Sequence, residues 1–248
     1  MKTFGLKPFL TLLIILSMVS INYAVYAKGK KVLIFCKTSG FHHSAIKEGV
    51  NAILQLAKEN KFEADSTTDA AKFTSANLKQ YRAVIFLNTT GDVLNDEQQS
   101  AFEKYIQAGG GFVGVHAATD CEYNWPWYGN LVGAYFSSHP APQEAVLNVT
   151  DRKHISTRHL PEQYKRKDEW YNFKWMAKNL NVLMSIDENS YSPGAGKMGA
   201  IHPMAWYHDY DGGRAFYTEL GHTEASYTEP LFLNHLLGGI KYALGEKK

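Results

Sequence analysis

The stretch GGGFVGVHAATD, Gly109 to Asp120, decides how this chain folds. It predicts a strand that runs into a tight turn and then a helix, with His116 at the bend. In an open α/β sheet, such a bend presents a functional side chain to a crevice. The turn has the outline of a nucleophile elbow, but the side chain at its tip is an imidazole rather than a hydroxyl or a thiol. The stretch therefore predicts chemistry other than ordinary acyl transfer.

Strands and helices alternate on the N-terminal side of this elbow. Apolar runs of strand length lie at residues 31–36, 83–87 and 112–115, and a further strand is expected near residues 62–67. Between them, Ser44 is a candidate N-cap of one helix, and Asn95 with Gln98 forms a capping-box pattern at the start of another. This alternation predicts an α/β fold built on a doubly wound, mainly parallel sheet.

The second half of the chain has a less regular pattern. Residues 151–168 are polar and indicate a loop, and short apolar runs predict strands at 182–186, 203–207 and 214–217. A helical pattern over residues 231–244 closes the chain. We expect these elements to extend the same sheet rather than to form a second domain.

The first 27 residues have the pattern of a secretory signal peptide. Two lysines precede the apolar run Phe9–Val19, and small residues follow up to Ala27. Because the apolar run is shorter than the roughly 20 residues that a bilayer needs, we expect cleavage, with an uncleaved anchor as the alternative. The sequence thus predicts a signal peptide at residues 1–27, one α/β domain at 28–248, and a periplasmic or secreted protein without stable membrane insertion.

Charge and cysteine content narrow the classes of function. The chain has 26 basic and 24 acidic residues, and no basic block. It therefore lacks the electrostatic footprint of a nucleic-acid-binding protein, and we expect a small neutral substrate. Two cysteines do not make a disulfide scaffold. We expect Cys36 and Cys121 to be buried packing residues, with a reactive thiol at Cys121 as the alternative.

Histidines concentrate in loops that follow predicted strands. His42 and His43 follow the first strand, and His116 follows the fourth. Loops at the carboxyl ends of parallel strands converge on one crevice, so we expect these side chains to meet. Three imidazoles and a carboxylate would suit zinc or a similar divalent metal, but hydrogen-bonded histidines without a metal are the alternative. Later loops carry His139, His202 and His222.

Carboxylates and aromatic rings also occur together. Asp168 and Glu169 stand immediately before the aromatic run Trp170–Phe173, and Tyr128 belongs to a second aromatic group after the elbow. A carboxylate beside aromatic rings can have its pKa raised toward general-acid duty. Aromatic faces pack on the C–H faces of sugar rings, while imidazoles and carboxylates bind hydroxyls. The mixture indicates a carbohydrate pocket.

Several separated motifs together resemble the ThuA-like trehalose-utilisation family. They are SGFHH at 39–43, GVHAATD at 114–120, Tyr128 with LVG at 131–133, SHP at 138–140, DE at 168–169, HPMAW at 202–206 and GRAFYTELGH at 213–222. The resemblance covers essentially residues 31–244. It implies a class I glutamine amidotransferase-like, flavodoxin-like sheet in which His116 takes the nucleophile position, so glutamine hydrolysis is not expected. It also implies a role in the use of disaccharides through oxidised 3-keto-sugars.

We therefore expect an exported enzyme that acts on a disaccharide, a glucoside or its 3-keto derivative by proton abstraction next to a carbonyl, as in isomerisation, hydration or β-elimination. The catalytic candidates are His116, His222, Glu169 and Asp168; the substrate-binding candidates are His42, His43, His139, Tyr128, Trp170 and His202; and the candidate ligands of a divalent metal such as zinc are His116, His43 and His222. A glycoside hydrolase and a non-catalytic sugar-binding protein are the alternatives.

Export should remove residues 1–27, because the charged start, the short apolar run and the small residues form one processing signal. Intact-mass analysis of the protein recovered from the envelope of its native host measures this directly. A mass that still includes Met1 to Ala27 would mean that the protein stays anchored.

Overall fold

The computed structural model describes Met1 and residues 30–247 of the 248-residue chain. Apart from Met1, the predicted signal peptide at residues 1–27 lies outside the described residues. Across residues 30–247, no helix is long and apolar enough to cross a bilayer.

The N-terminal half is built from alternating strands and helices. The strands are β1 (Lys31–Phe35), β2 (Glu63–Thr67), β3 (Ala83–Leu87) and β4 (Gly111–Val115), and the helices are α1 (Ile46–Glu59), α2 (Ser75–Leu78) and α3 (Asp96–Gln107). Strands β1, β3 and β4 are apolar along their length because helices cover both faces of the sheet.

The C-terminal half contains more strands than helices. Its elements are α4 (Pro126–Val132), β5 (Ala134–Ser138), β6 (Gln143–Val149), β7 (Gln163–Asp168), β8 (Asn172–Met176), β9 (Asn181–Ile186), β10 (Pro203–Tyr210), β11 (Gly213–Thr218) and α5 (Pro230–Ala243). Strands β5 and β8 pair with each other in a small antiparallel sheet.

Within residues 30–247, nine strands form one sheet in the order β2-β1-β3-β4-β11-β10-β9-β6-β7. The strands from β2 to β11 run parallel, in the flavodoxin-like order. Beyond β11 the sheet continues as an antiparallel extension. The predicted α/β class and the doubly wound flavodoxin-like sheet are confirmed.

Aromatic side chains fill the core between the parallel sheet and helices α3 and α4. Phe112 of β4 packs against Phe86 of β3, Phe102 of α3 and Tyr128 of α4. On the opposite face, Gly111 lies directly against α5, where a Cβ would meet the carbonyl oxygen of Ala243 at 2.2 Å. The sheet is thus covered on both sides, and its strand ends are the place where polar side chains can gather.

Helices α1 and α3 differ in how well their starts were predicted. The capping box at α3 is confirmed, because Asn95 and Gln98 exchange backbone-to-side-chain hydrogen bonds of 3.0 Å. Ser44 was wrong as the N-cap of α1, since the cap residue is Ala45. The hydroxyl of Ser44 instead donates to the carboxylate of Glu224 across the sheet end.

Residues 163–168 form strand β7, although the polar stretch 151–168 predicted a loop. Arg166 and Asp168 are buried, and Lys165 and Lys167 between them are exposed. The alternation has period two, as a half-buried strand requires. Sequence patterning missed it because the buried positions are charged rather than apolar.

The predicted elbow is present at the end of β4, with a different continuation. His116 has a left-handed backbone with φ of 49°, which only a sharp turn requires of a residue other than glycine. A short 3₁₀ turn, His116–Thr119, follows instead of an α-helix. The chain then pairs Cys121 with Gly91 in a β-bridge, which draws the backbone away from a helical path. Helix α4 begins later, at Pro126.

Candidate functional site

Four ionisable side chains converge at the carboxyl ends of the parallel strands. His43 follows β1, His116 follows β4, His222 lies in the loop after β11, and Glu169 directly follows β7. One potential ligand atom from each of them lies within 4.8 Å of the others. This group, called the histidine cluster, contains the three histidines that the sequence analysis named as candidate metal ligands and Glu169, which it named as a catalytic candidate.

His116 is the most constrained member of the cluster. Its side chain is fully buried, and its Nδ1 lies 2.7 Å from the backbone oxygen of Glu219. Because a carbonyl oxygen only accepts hydrogen bonds, Nδ1 carries the hydrogen, and Nε2 is left for the cluster. This Nε2 lies 3.2 Å from Nδ1 of His222 and 3.4 Å from Oε2 of Glu169.

Glu169 joins the buried cluster to an imidazole at the rim. Its Oε2 lies 3.2 Å from Nδ1 of His222, and its Oε1 lies 3.0 Å from Nδ1 of His139. The side chain of His139 is 41% exposed, so this histidine is accessible to a ligand. Burial alone would raise the pKa of Glu169, but His116 and His222 hold it well below its usual range.

His43 closes the cluster from the β1 side. Its ring stands edge-on to the rings of His116 and His222, at centroid distances of 4.9 and 5.3 Å. It is 3% exposed, and among residues 30–247 its Nδ1 has no hydrogen-bond partner. Burial, together with the neighbouring imidazoles of His116 and His222, lowers the pKa of His43 to about 3, so this ring stays neutral.

The cluster favours a positive charge at His116. Burial would lower the pKa of His116, but the carboxylates of Glu169 and Glu219 beside it raise that pKa to about 10. Burial in turn raises the pKa of Glu219 to about 7, against the opposing effect of His116. An imidazolium cannot accept a proton. In this protonation state, His116 stabilises negative charge rather than acting as a base.

Asp168 lies behind the cluster and holds two of its members in place. Its Oδ1 accepts the backbone N–H groups of Glu169 and His222, at 3.1 and 3.2 Å. Its Oδ2 accepts the N–H of Gly221 at 3.1 Å and a guanidinium hydrogen of Arg166 at 2.8 Å. With both oxygens occupied in this way, Asp168 orients the backbone on which the cluster side chains stand.

Two predicted substrate-binding residues have their polar atoms bonded elsewhere. Tyr128 is fully buried in the aromatic core, and its hydroxyl donates to the backbone oxygen of Ala118 at 2.7 Å. Trp170 is also fully buried, and its indole N–H donates to the backbone oxygen of Gln143 at 2.9 Å. Both rings support the loops around the cluster without joining it.

The two remaining predicted histidines flank the cluster. His202 is buried, with Nδ1 3.1 Å from a carboxylate oxygen of Glu188 and Nε2 2.8 Å from the backbone oxygen of Tyr171. His42 lies on the exposed loop after β1, where its Nδ1 is 3.2 Å from the hydroxyl of Thr38. The structure therefore brings His42 to the rim and leaves His202 in a separate buried pair.

Sequence reasoning missed three residues that shape the site. Tyr171 lies against His116 with a centroid distance of 4.3 Å, and its backbone N–H donates to Glu219. Phe41 is 65% exposed and stands edge-on to His43 at 4.8 Å. Phe41 and Glu219 lie inside motifs that resemble the ThuA-like family. Neither residue type is by itself diagnostic of a functional site, so the motifs alone do not single them out.

Comparisons with known proteins agree with the fold and the motifs. Residues 31–243 match the family model ThuA, described as trehalose utilisation. Among curated proteins, no sequence matches this chain. The solved structures that it resembles include a ThuA-like protein from Bacteroides uniformis, with a TM-score of 0.74 and 24% identity over 91% of this chain and 96% of that one. Another, from Parabacteroides merdae, has a TM-score of 0.72 and 22% identity over 88% of this chain and 91% of that one.

Replacing Asp168 by Asn should lower the free energy of unfolding by about 3–5 kcal/mol, because it leaves buried Arg166 only the partly exposed carboxylate of Glu229 as a charge partner and sets an amide against backbone N–H donors. Urea denaturation measures this loss. Glu144→Gln is the matched control, since Glu144 forms an exposed ion pair with Lys165 on the neighbouring strands and should change stability little. Equal stability of the Asp168→Asn protein and wild type would contradict this positioning role.

Proposed function

The chain belongs to the ThuA family, described as trehalose utilisation, and we propose that it acts on a carbohydrate ketone by abstracting the proton next to the carbonyl. Membership of the family gives the protein a role in carbohydrate utilisation. The proposal adds the substrate class, a disaccharide or glucoside in its 3-keto form, and the reaction class, an isomerisation, hydration or β-elimination. An exported, periplasmic location is part of the same proposal.

The observation that carries the proposal is the chemistry of the elbow. His116 occupies the position of a nucleophile, and imidazoles and the carboxylates of Glu169 and Glu219 surround it. Such a group transfers protons and stabilises negative charge. The nearby thiol of Cys121 does not supply a nucleophile, because it is buried, burial raises its pKa, and its hydrogen is directed at the backbone oxygen of Gly91.

When the substrate is a ketone, one base and one group that stabilises negative charge are sufficient for catalysis. The base removes a proton from the carbon beside the carbonyl. The electron pair of that C–H bond forms a C=C bond, and the π pair of the carbonyl moves to its oxygen, giving an enediolate. Positive charge in the histidine cluster would stabilise this oxyanion. In an isomerisation, the former carbonyl carbon takes up a proton, and the hydroxyl on the deprotonated carbon loses its proton to become the new carbonyl. In an elimination, the original carbonyl re-forms while a leaving group departs with its electron pair from the carbon on the other side of the deprotonated one, and that group takes up a proton. An unoxidised sugar offers no comparably acidic C–H bond.

We assign the base to His139. Its Nδ1 faces two acceptors, the carboxylate of Glu169 and the backbone oxygen of Pro140, both at 3.0 Å. Nδ1 therefore carries the hydrogen, and in the neutral ring Nε2 keeps its lone pair. A carboxylate that orients an accessible imidazole in this way is the arrangement of a general base. His116, which the sequence favoured as base or ligand, is better suited to hold the oxyanion.

The exposed ring of Phe41 supplies a contact for the sugar. It stands at the mouth of the cluster beside His43. Aromatic faces pack on the C–H faces of sugars, and an exposed ring beside a buried polar cluster is what such binding needs. A hydrolase that pairs Asp168 with Glu169 has weaker support, because both oxygens of Asp168 already accept hydrogen bonds from the protein.

His139→Ala should lower the turnover of a 3-keto-glucoside by about 10²–10⁴-fold, the usual contribution of a general base. Proton NMR in deuterium oxide should also show exchange at the carbon beside the ketone in wild type and its loss in the variant. His159→Ala is the control, because His159 is an exposed imidazole bonded to the backbone of Leu231. If wild type incorporates no deuterium and makes no product from keto-sugars, yet cleaves an unoxidised glycoside, proton abstraction is wrong.

Phe41→Ala should raise KM for the same keto-glucoside by about two- to tenfold with little change in kcat, since one stacking contact contributes modestly to binding. Steady-state kinetics separate the two constants. Phe41→Trp should retain the wild-type KM because it keeps an aromatic face. Unchanged KM in the Phe41→Ala protein would remove this ring from the sugar site.

A further inference from the structure

We infer that His116, His222 and Glu169 are ligands of one divalent metal ion of the zinc class, with His43 beside the open coordination position. The inference deepens the proposed function, on which the catalytic meaning of the metal rests. Binding of the ion is a separate property that can be measured without a sugar.

The three donor atoms form a nearly equilateral triangle. His116 Nε2 and His222 Nδ1 are 3.2 Å apart, His222 Nδ1 and Glu169 Oε2 are 3.2 Å apart, and Glu169 Oε2 and His116 Nε2 are 3.4 Å apart. A tetrahedral ion with bonds of about 2.0–2.1 Å separates its ligand atoms by about 3.3–3.4 Å. The triangle therefore has the size of one face of a zinc coordination tetrahedron.

Hydrogen bonds to groups outside the triangle hold its three donor atoms in place. The Nδ1 hydrogen of His116 is given to the carbonyl oxygen of Glu219, so Nε2 is directed into the cluster, where an ion would displace its proton and bind the lone pair. Metal-binding histidines almost always donate their second ring N–H in this manner. Oε1 of Glu169 is engaged by His139, which leaves Oε2 for the ion, and Asp168 accepts the backbone N–H of His222. Each donor atom is thus positioned before the ion arrives.

His43 provides a second, independent observation. It is a buried imidazole whose Nδ1 lacks a hydrogen-bond partner in the part of the chain that the structure describes. Leaving a buried polar atom unpaired costs free energy, so a group that satisfies it is expected. One ring nitrogen of His43 lies within 4.8 Å of the three donor atoms. A metal-bound water or a substrate oxygen at the fourth position would be within reach of this ring.

The donor set selects the class of ion. Two imidazoles and one carboxylate suit zinc and neighbouring first-row metals, whereas Mg²⁺ and Ca²⁺ prefer sites made of oxygen atoms. Three protein ligands with an open position are typical of a catalytic rather than a structural zinc site. An ion there would polarise a carbonyl oxygen bound at the open position, which is the oxygen that becomes negative in the proposed reaction.

Metal loading of the purified protein tests the inference. After dialysis against a chelator, Zn²⁺ alone is returned, and the bound metal is measured by elemental analysis and by calorimetric titration. We expect about one ion per chain and a higher melting temperature with Zn²⁺ than without it. His222→Gln and Glu169→Gln should each weaken binding by about 100-fold or more, since each removes a ligand. Co²⁺ in place of Zn²⁺ should give the visible absorption of a four- or five-coordinate ion.

His42→Ala is the matched control, because His42 is adjacent in sequence to the cluster and exposed. It should bind Zn²⁺ as wild type does. Circular dichroism of the metal-free proteins shows whether a variant that fails to bind the ion is still folded. If the other variants unfold, His43→Gln, which keeps all three ligands, should still bind one ion. Wild type that holds less than about a tenth of an ion per chain, or equal losses in His42→Ala and His222→Gln, would overturn the inference. One bound ion without any keto-sugar turnover would overturn the proposed function and leave the metal site standing.

Discussion

Burial of the Glu169 carboxylate among imidazoles is the constraint on which the site depends. A buried carboxylate is stable only when positive charge or hydrogen-bond donors compensate the water that it has lost. Glu169 obtains them from His116, His222 and His139, and its own backbone is held by Asp168. The cluster therefore has to hold a cation, whether a shared proton or a metal ion. That requirement gives the site its capacity to stabilise a developing negative charge.

The two halves of the sheet contribute different parts of this arrangement. The parallel half delivers His43, His116 and His222 from loops at the carboxyl ends of β1, β4 and β11. The carboxylates come from the end of β7, at the far edge of the antiparallel extension, where Asp168 is the last residue of the strand and Glu169 follows it. The set of site residues is therefore complete only when both halves of the sheet fold together. A flavodoxin-like sheet without the extension would present the imidazoles and buried Glu219 but would lack Glu169.

Buried charge also explains why β7 was hard to recognise. Arg166 and Asp168 occupy the inward positions of the strand, where a hydrophobic pattern is normally expected, and they are paired at 2.8 Å. This pair ties the loop that carries His222 to the strand that carries Glu169. The Arg166–Asp168 pair sets distances within the histidine cluster. The function of the site therefore explains why charged residues occupy these buried positions.

The sequence alone determined the doubly wound sheet, the elbow and the identity of most cluster residues, because apolar periodicity, capping and loop position are local signals. His116 and His43 were predictable from the strands that precede them. Only the tertiary structure decided which carboxylate joins them: Asp168 and Glu169 are adjacent in sequence and chemically alike, yet one orients backbone and the other enters the cluster. Opposite directions of neighbouring side chains on an extended backbone cause that difference, and sequence cannot tell which face meets the cluster until the strand is paired.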